Sequence, residues 1–426
     1  MRKTITLLTS GTRGDVIPYI ALGEGLQEAG YQVNIAAPIG FANLIVRATG
    51  QPPLQFSPFE GNPSDLLVEQ GNETPLTLGK NFIRSIQSTN NFIKQARPLY
   101  RKMLKTAFEA CQGSDLLIHG LPTLWGSHIA EGLKIPAIRA LLQPLAPTNE
   151  FASALLPFRF SIKGINWLSH WIVTQLTYLS WRSEINYARR TLFQLDSAPL
   201  LDSSLRHYSE QPLTLNGFSE QILPRPKDWN DKQIITGYWR KEVISKQVNK
   251  LAEIQKFIES SSNPIAIGFG SPGTKGFSQI LATLEEGLNL SNAQAILTIP
   301  VKWHSEIKSK NIFPVEYISH DWLYKNVKVA IHHGGAGTTS ASLHAGIPTI
   351  TMPLAIDQFF WGERIHKIGV GPKSIPQRKL TAEKLAHAIQ IALSDETMNA
   401  RAKSVGKALS RENGIQVALS QMRKII

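Results

Sequence analysis

Residues 332–364 read HHGGAGTTSASLHAGIPTITMPLAIDQFFWGER, and this stretch decides the fold. A mostly apolar run at 327–331 predicts a strand, the glycines at 334, 335 and 337 predict a turn, and Thr338 begins a predicted helix. Glycines let the backbone come close to a ligand, and the N-terminus of a helix attracts negative charge. Strand, turn and helix therefore predict an anion site that suits phosphate, built from Gly335, Ala336, Gly337 and Thr338.

A second apolar strand, predicted at 349–352, ends at Pro353 and is followed by Asp357 and Gln358. Carboxylate and amide groups form hydrogen bonds with the hydroxyls of sugars. Because ligands of open α/β sheets gather at the carboxyl ends of neighbouring strands, the phosphate-binding and hydroxyl-binding groups would share one crevice. A nucleotide sugar carries both kinds of group, so the two loops predict a nucleotide-sugar site.

The start of the chain predicts a βαβ unit, with a strand at 4–9, a helix from Pro18 to residue 29 and a strand at 31–37. Asp15, in the turn after the first strand, would project from the carboxyl edge of the sheet. Its carboxylate can take a proton from a substrate hydroxyl, or it can cap the helix that follows. The residues alone leave both interpretations open.

The alternation of strands and helices continues to about residue 141 and resumes at 265, which predicts two α/β domains. Residues 51–75, rich in Pro, Gly and Asn, predict a long loop. Residues 223–239 contain two prolines and several charges, so the domain junction is predicted there, with domains at 1–230 and 231–426.

HHGGAGTT with the downstream DQFFWGER, and the opening GTRGDVIP at 11–18, closely resemble the sterol glucosyltransferases and antibiotic glycosyltransferases of glycosyltransferase family one. This resemblance implies the GT-B fold, in which two Rossmann-like domains face each other across a cleft. The N-terminal domain would bind the acceptor and the C-terminal domain the nucleotide sugar. In that family the last helix usually returns to the N-terminal domain.

The resemblance also implies roles for single residues. In that family the aspartate at the position of Asp15 is the proposed catalytic base, and the histidine at the position of His333 contacts phosphate. Thr12 and Arg13 would reach the diphosphate of the nucleotide sugar from the N-terminal domain. The uracil ring of the nucleotide would lie against residues 317–322. Ser271, at a strand-to-loop transition, could donate a hydrogen bond to phosphate or could be a turn residue.

The activity that the resemblance implies is an inverting, metal-independent hexosyl transfer of the EC 2.4.1 type. UDP-glucose is the expected donor substrate, no cofactor is expected, and the acceptor would be a hydroxyl of a sterol, hopanoid, carotenoid or other lipid. Two alternatives are a nucleotide-sugar epimerase and a noncatalytic protein that binds lipid or nucleotide sugar. The acceptor-binding residues are not predicted.

No metal site is expected, because the adjacent His332 and His333 point in opposite directions and no acidic or cysteine partner follows at ligand spacing. This leaves His332 a packing or turn role. The single cysteine, Cys111, excludes an intrachain disulfide. The first turn lacks the three-glycine spacing of dinucleotide-binding oxidoreductases.

The surface is expected to be basic, since 45 Lys and Arg residues against 32 Asp and Glu give a net charge of +13. No dense basic run interleaved with aromatics is present, so nucleic acid is not an expected partner. No apolar stretch is long enough to predict a membrane span or a signal peptide. The expected location is cytoplasmic, with peripheral contact to the inner face of a membrane.

Residues 151–190 are rich in aromatic side chains at helical spacing and predict one or two amphipathic helices. Such helices are consistent with core packing, and equally with an apolar acceptor pocket or a membrane-contacting face. The sequence leaves these alternatives open.

Overall fold

The computed structural model describes residues 2–48, 53–62, 82–157, 162–201, 212–241, 251–269 and 277–425. These residues form two compact units, and each unit is built on its own parallel sheet. The first unit contains the described residues up to Lys241 together with 413–425, and the second contains those between 251 and 412.

The first sheet has seven strands, which are β1 (Thr4–Leu8), β2 (Gln32–Pro38), β3 (Gln55–Phe59), β4 (Leu116–His119), β5 (Ala137–Leu141), β6 (Thr214–Asn216) and β7 (Gln233–Ile235). All neighbouring pairs are parallel, in the order β3-β2-β1-β4-β5-β6-β7. The strand order reverses between β1 and β4, where Leu8 is in register with His119. In open α/β sheets the ligand site lies at such a reversal, beyond the carboxyl ends of the strands.

The described helices among these strands are α1 (Arg13–Glu28), α2 (Ala42–Ala48), α3 (Phe82–Ala110), α4 (Gly126–Leu133) and α5 (Ile165–Thr191). The long helices α3 and α5 pack against each other, and α3 also packs against β3. One core cluster joins this layer to the sheet and includes Leu8, Met103, Leu117, Trp125 and Ile129, all buried.

Two sequence-based boundaries in this unit were wrong. Helix α1 begins at Arg13 and not at Pro18, which lies inside it. The side chain of Asp15 bonds back to the N–H of Thr12 and so stabilises an earlier helix start. The predicted loop at 51–75 contains β3, which pairs with β2 at the sheet edge.

The second sheet has five strands, which are β8 (Pro264–Gly268), β9 (Gln294–Thr298), β10 (Ile312–Val315), β11 (Val329–His332) and β12 (Thr349–Thr351). They are parallel and lie in the order β10-β9-β8-β11-β12, so the order reverses between β8 and β11. At this reversal Gly268 is in register with His332. Most residues of these short strands are buried, as expected for a parallel sheet that is covered on both faces.

The described helices of the second unit are α6 (Leu251–Ser260), α7 (Phe277–Ser291), α8 (His320–Leu323), α9 (Ala336–Ala345), α10 (Gln358–Lys367), α11 (Ala382–Ser394) and α12 (Glu396–Leu409). Helices α7 and α11 pack against each other over one core cluster, and α6 and α8 contribute to a second.

The last helix, α13 (Gly414–Met422), belongs to the first unit. Ile415 contacts Gly25 of α1, and Gly414 lies against the backbone of Gly237. The first unit extends to Lys241 and not to residue 230, because β7 pairs with β6 and makes the proline-containing segment before it an internal loop. Among the described helices, none combines the length and the apolar character needed to cross a membrane.

Candidate functional site

Asp15 lies in the first turn of α1, immediately beyond the carboxyl end of β1. Its Oδ2 accepts a hydrogen bond from the backbone N–H of Thr12 at 2.8 Å and another from the Thr12 hydroxyl at 2.9 Å. The carboxylate therefore caps the helix, which is one of the two roles that the sequence left open. This contact also fixes the carboxylate beyond the carboxyl ends of the strands, where open α/β sheets generally bind ligands, so capping and proton transfer are compatible roles.

The protonation of Asp15 is shifted by its surroundings. Burial raises the pKa of the carboxyl above its ordinary value of 3.8, and the two hydrogen bonds from Thr12 act in the opposite direction. The loss of hydration is the largest of these effects. A carboxylate with a raised pKa is a stronger proton acceptor than one in water, which suits a general base.

The loop before α1 is held by a residue that the sequence analysis did not identify. The amide of the buried Asn62, just beyond β3, donates to the carbonyl of Gly11 at 3.0 Å and accepts from the Ser10 hydroxyl at 3.3 Å. The only signal in the sequence is the Gly61-Asn62 pair in a stretch rich in turn residues. Its contact with Gly11 depends on the pairing of three strands.

Thr12 and Arg13, the other candidates in the first unit, are exposed at the N-terminal end of α1. Thr12 is the N-cap residue, with an extended backbone conformation, and Arg13 is the first helical residue. The structure therefore groups Thr12, Arg13 and Asp15 within one turn.

In the second unit the predicted phosphate cradle lies between β11 and α9. The helix begins at Ala336, two residues earlier than expected, with Gly335 as its N-cap. The N–H of Thr339 is bonded to the carbonyl of Gly335 at 2.9 Å, which closes the first helical turn. The preceding N–H groups, of Ala336, Gly337 and Thr338, belong to the helix terminus that has no intrahelical acceptors. They are the groups that would meet a phosphate.

His332 fixes the shape of this turn from inside the protein. Its Nδ1 accepts from the N–H of Gly334 at 3.0 Å, and its Nε2 contacts the Ser342 hydroxyl at 3.2 Å. Burial lowers the pKa of His332 well below 6.5, so the ring is neutral. With Nδ1 as acceptor, the proton must be on Nε2, which donates to Ser342. The structure thus gives His332 the turn role that the sequence predicted.

The ring of His333 lies directly over the cradle. A Cβ atom at Gly335 would be 2.5 Å from the Nε2 of His333, so glycine at this position leaves room for the imidazole. Burial lowers the pKa of His333 to about 4, and the proximity of His320 acts in the same direction. At neutral pH the imidazole is uncharged and can donate one hydrogen bond.

Asp357 and Gln358 follow β12, as expected, at the point where the loop ends and α10 begins. Asp357 is the N-cap residue of α10, and its Oδ2 accepts from the indole N–H of Trp361 at 3.1 Å. The side-chain oxygen of Gln358 accepts from the N–H groups of Leu354 and Ala355, at 2.8 and 3.2 Å. Both side chains therefore also stabilise their own loop.

The two loops of the second unit are in contact. Gly334 has a φ of +90°, and a Cβ there would be 2.9 Å from the carbonyl oxygen of Gln358. Since β11 and β12 are neighbours, this contact brings His333 and the start of α9 beside the Asp357 loop.

Ser271, another predicted site residue, lies outside the described residues. In segment 317–322, which is expected to contact the uracil ring of the nucleotide, Tyr317 is exposed, whereas Trp322 packs partly against the core.

The described part of the chain offers no cluster of metal ligands. No group of three or more His, Cys, Asp or Glu side chains within it is placed to hold a metal ion.

Family models match both units. Residues 5–152 match the glycosyltransferase family 28 N-terminal domain, and residues 283–418 match the C-terminal domain of the erythromycin biosynthesis protein CIII-like proteins.

Among known proteins, the chain is 31% identical over 437 residues to the sterol 3-beta-glucosyltransferase UGT80B1 of Arabidopsis thaliana. This match covers 99% of the chain and 68% of the plant protein. The sterol 3-beta-glucosyltransferase of Debaryomyces hansenii is 32% identical over 436 residues, which cover 97% of the chain and 26% of the yeast protein. The chain thus spans about a quarter of the length of this relative.

Solved structures share the fold at low sequence identity. The glycosyltransferase of kitacinnamycin has a TM-score of 0.71 at 14% identity, covering 100% of the chain and 99% of that protein. The Streptomyces glycosyltransferase SsfS6, complexed with thymidine diphosphate, has a TM-score of 0.64 at 16% identity, covering 99% of the chain and 100% of that protein. With the two parallel sheets, this likeness confirms the predicted GT-B fold.

Proposed function

Because the chain belongs to the family of the sterol 3-beta-glucosyltransferases, we propose that it transfers glucose from UDP-glucose to the hydroxyl of a sterol or a related lipid. The observation that carries this proposal is similarity along nearly the whole chain to relatives of that name. The epimerase and binding-protein alternatives find no support among these relatives.

Asp15 is the proposed general base. In a single displacement, the acceptor oxygen forms a bond to the anomeric carbon while the bond to UDP breaks, and the acceptor proton passes to the carboxylate. The raised pKa and the fixed position of Asp15 support this role. Attack from the face opposite to UDP gives inversion, as the resemblance implies.

The donor diphosphate is proposed to bind at the N-terminus of α9. The N–H groups of Gly335, Ala336, Gly337 and Thr338, the Thr338 hydroxyl and the neutral His333 would donate to its oxygens. Helix-terminal donors stabilise the charge of the departing UDP without a divalent cation, which supports a metal-independent reaction. We further assign Asp357 and Gln358 to the sugar hydroxyls, and Thr12, Arg13 and Ser271 to the diphosphate.

The proposed location is the cytoplasmic side of a membrane, with peripheral contact. Sterols and similar acceptors partition into bilayers, so an enzyme that uses them gains access at the membrane surface. The net charge of +13 favours attraction to anionic lipid.

A donor screen tests the proposal. The protein is incubated with a sterol-containing lipid extract and radiolabelled UDP-glucose, UDP-galactose or UDP-N-acetylglucosamine, and the labelled product is identified. We expect a glucosylated sterol from UDP-glucose. Failure to label any lipid with any of the three donors would contradict the proposed function.

Asp15→Asn then separates an enzyme from a binding protein. The variant is expected to bind UDP like the parent and to lose turnover, because an amide cannot take the acceptor proton. Asp231→Asn, at an exposed position of the same unit, is the matched control and should retain both properties. Full turnover by Asp15→Asn would contradict the assignment of the base.

A further inference from the structure

Helix α5 presents apolar side chains to solvent. Five of them are 42 to 61% exposed: Ile165, Leu168, Ile172, Leu176 and Leu179. At 3.6 residues per turn they all fall within an arc of about 80°, and they extend over about 21 Å of the helix. We call these five side chains the α5 stripe. Among the described residues, eight of the seventeen exposed large hydrophobic side chains lie between 162 and 200.

The same helix buries polar side chains, which is the reverse of an ordinary surface helix. Asn166 donates to the carbonyl of Asn149 at 2.9 Å, and Ser169 accepts from the N–H of Ser153 at 2.9 Å. A ring nitrogen of His170 contacts the carbonyl of Phe151 at 3.1 Å. Buried polar groups must keep such partners, so these contacts fix the rotation of the helix and hold the stripe outward.

The C-terminal half of α5 is fixed by ion pairs. Glu184, with a side chain 1% exposed, pairs with Arg97 and Arg101 of α3. Arg189 pairs with Glu131 of α4. The outward position of the stripe is therefore set at both ends of the helix.

Basic residues outnumber acidic ones in the segments that carry and pack against the stripe. Residues 151–183 contain three basic residues and no acidic one. Helix α3, which packs against α5, contains six basic residues and one acidic residue. Lys94 and Lys105 are exposed, whereas Arg97 and Arg101 pair with Glu184, and Lys102 pairs with Glu60. An apolar face in a part of the chain with an excess of basic residues complements a bilayer with anionic headgroups.

We propose that the α5 stripe docks the protein on an anionic lipid bilayer, with the helix parallel to the surface and its apolar side chains below the headgroups. The inference rests on the proposed function in one respect, since it gives a lipid-modifying enzyme its contact with the membrane. A helix with one apolar face and one polar face lies in the interface of a bilayer and does not cross it.

The test is sedimentation with vesicles that contain neither sterol nor UDP-glucose, so that binding is measured without turnover. One set is phosphatidylcholine alone, and the other contains about one fifth phosphatidylserine. The protein should bind the second set more strongly, and salt should weaken this binding. Leu168→Gln with Leu176→Gln should lower the bound fraction about tenfold, because the apolar area that enters the bilayer is reduced.

The matched control is Leu290→Gln with Val301→Gln, at two positions that are 53 and 56% exposed on the second unit. This control should bind vesicles like the parent. All four positions are exposed, and glutamine is a good helix former at the three that lie in α-helices, so the substitutions should preserve folding, which circular dichroism checks. Equal binding by the stripe variant and the control would overturn the proposal.

Four further outcomes separate the docking inference from its rivals. Transfer to detergent-dispersed sterol should be the same in the stripe variant and the parent, and its loss would make the stripe an acceptor surface. If the parent were a dimer that did not bind vesicles and the stripe variant were a monomer, the stripe would be a contact between copies of the chain. Transfer by a parent protein that does not bind vesicles would overturn docking alone, whereas vesicle binding without transfer would support docking and contradict the proposed function.

Discussion

The carboxylate of Asp15 occupies the space that a side chain at Gly11 would need. Gly11 has a φ of +103°, and a Cβ atom there would be 2.6 Å from the Oδ2 of Asp15. Glycine at this position therefore allows both the backbone turn after β1 and the return of the carboxylate towards Thr12. The geometry of the proposed base depends on the absence of a side chain just before α1 begins.

Gly11→Ala is expected to displace the Asp15 carboxylate. Turnover should fall by more than about tenfold, because misplacement of a catalytic group by a fraction of an ångström is costly. UDP binding should change less, since most of the groups proposed to donate hydrogen bonds to UDP lie in the second unit. Steady-state kinetics and UDP titration measure the two effects.

The control for Gly11→Ala is Gly30→Ala, at the other end of α1. Gly30 has a φ of +94°, and no atom lies within 4 Å of the position that an added methyl would take. The control therefore carries similar backbone strain, about 1 to 3 kcal/mol, without the contact to Asp15. If both variants lost turnover equally, strain and not the position of the carboxylate would be the cause.

The raised pKa of Asp15 predicts a pH dependence of catalysis. The base acts only when ionised, so kcat/KM should fall as the pH decreases through a pKa above the ordinary 3.8. The pH–rate profile of the parent measures this limb. An acidic limb at or below 3.8 would show that burial does not raise the pKa of this carboxyl.

Stability should depend on Asp15 with the opposite sign. The folded protein holds the Asp15 proton more tightly than the unfolded chain, so stability decreases as the pH rises through the raised pKa and stays lower above it. Asp15→Asn should therefore have a higher Tm than the parent at neutral pH, with Asp231→Asn as the unchanged control. A lower Tm would mean that the cap on Thr12 outweighs the cost of burying the charge.

Much of the fold could be predicted from local patterns. Apolar runs predicted several strands of both sheets to within two residues, among them β1, β2, β11 and β12, because strands buried on both faces are continuously apolar. The short strands β3, β6 and β10 were not predicted. The glycines at 334, 335 and 337 also predicted the turn between β11 and α9, since a strand, a glycine turn and a helix form a local structure. The start of α1 was predicted too late because a proline often marks the first turn of a helix, whereas the helix begins at Arg13 with the cap formed by Asp15.

Features that depend on tertiary contacts could not be predicted. The bond from Asn62 to Gly11 requires the pairing of β3 with β2 and of β2 with β1. Ile356 adopts a φ of +54°, a conformation that a β-branched residue rarely takes, in the loop that presents Asp357. The periodicity of residues 151–190 predicted an amphipathic helix, but only the contacts of Asn166, Ser169 and His170 show which face is inward.

Acid should destabilise the protein through its buried histidines. Burial lowers the pKa of His119 to about 3, against 6.5 for the free side chain. Between these values the unfolded chain binds a proton that the folded protein does not, so stability falls as the pH decreases below 6.5. From pH 7.5 to 5 this residue alone should cost on the order of 2 kcal/mol. His119→Leu should reduce the fall of Tm over this range, whereas substitution of the exposed His387 on α11 should leave it unchanged.

Gly335→Ala should weaken donor binding without unfolding the second unit. The φ of Gly335 is −63°, so alanine fits the backbone, and the conflict is with the Nε2 of His333 at 2.5 Å. Because that atom is the tip of a side chain, the imidazole can rotate away, which removes one proposed phosphate donor. We expect the Kd for UDP to rise about tenfold, the loss of one hydrogen bond to a charged group. Gly40→Ala, with no atom within 4 Å of the added methyl, is the control. Unchanged UDP affinity in Gly335→Ala, measured by calorimetry, would remove His333 from the donor site.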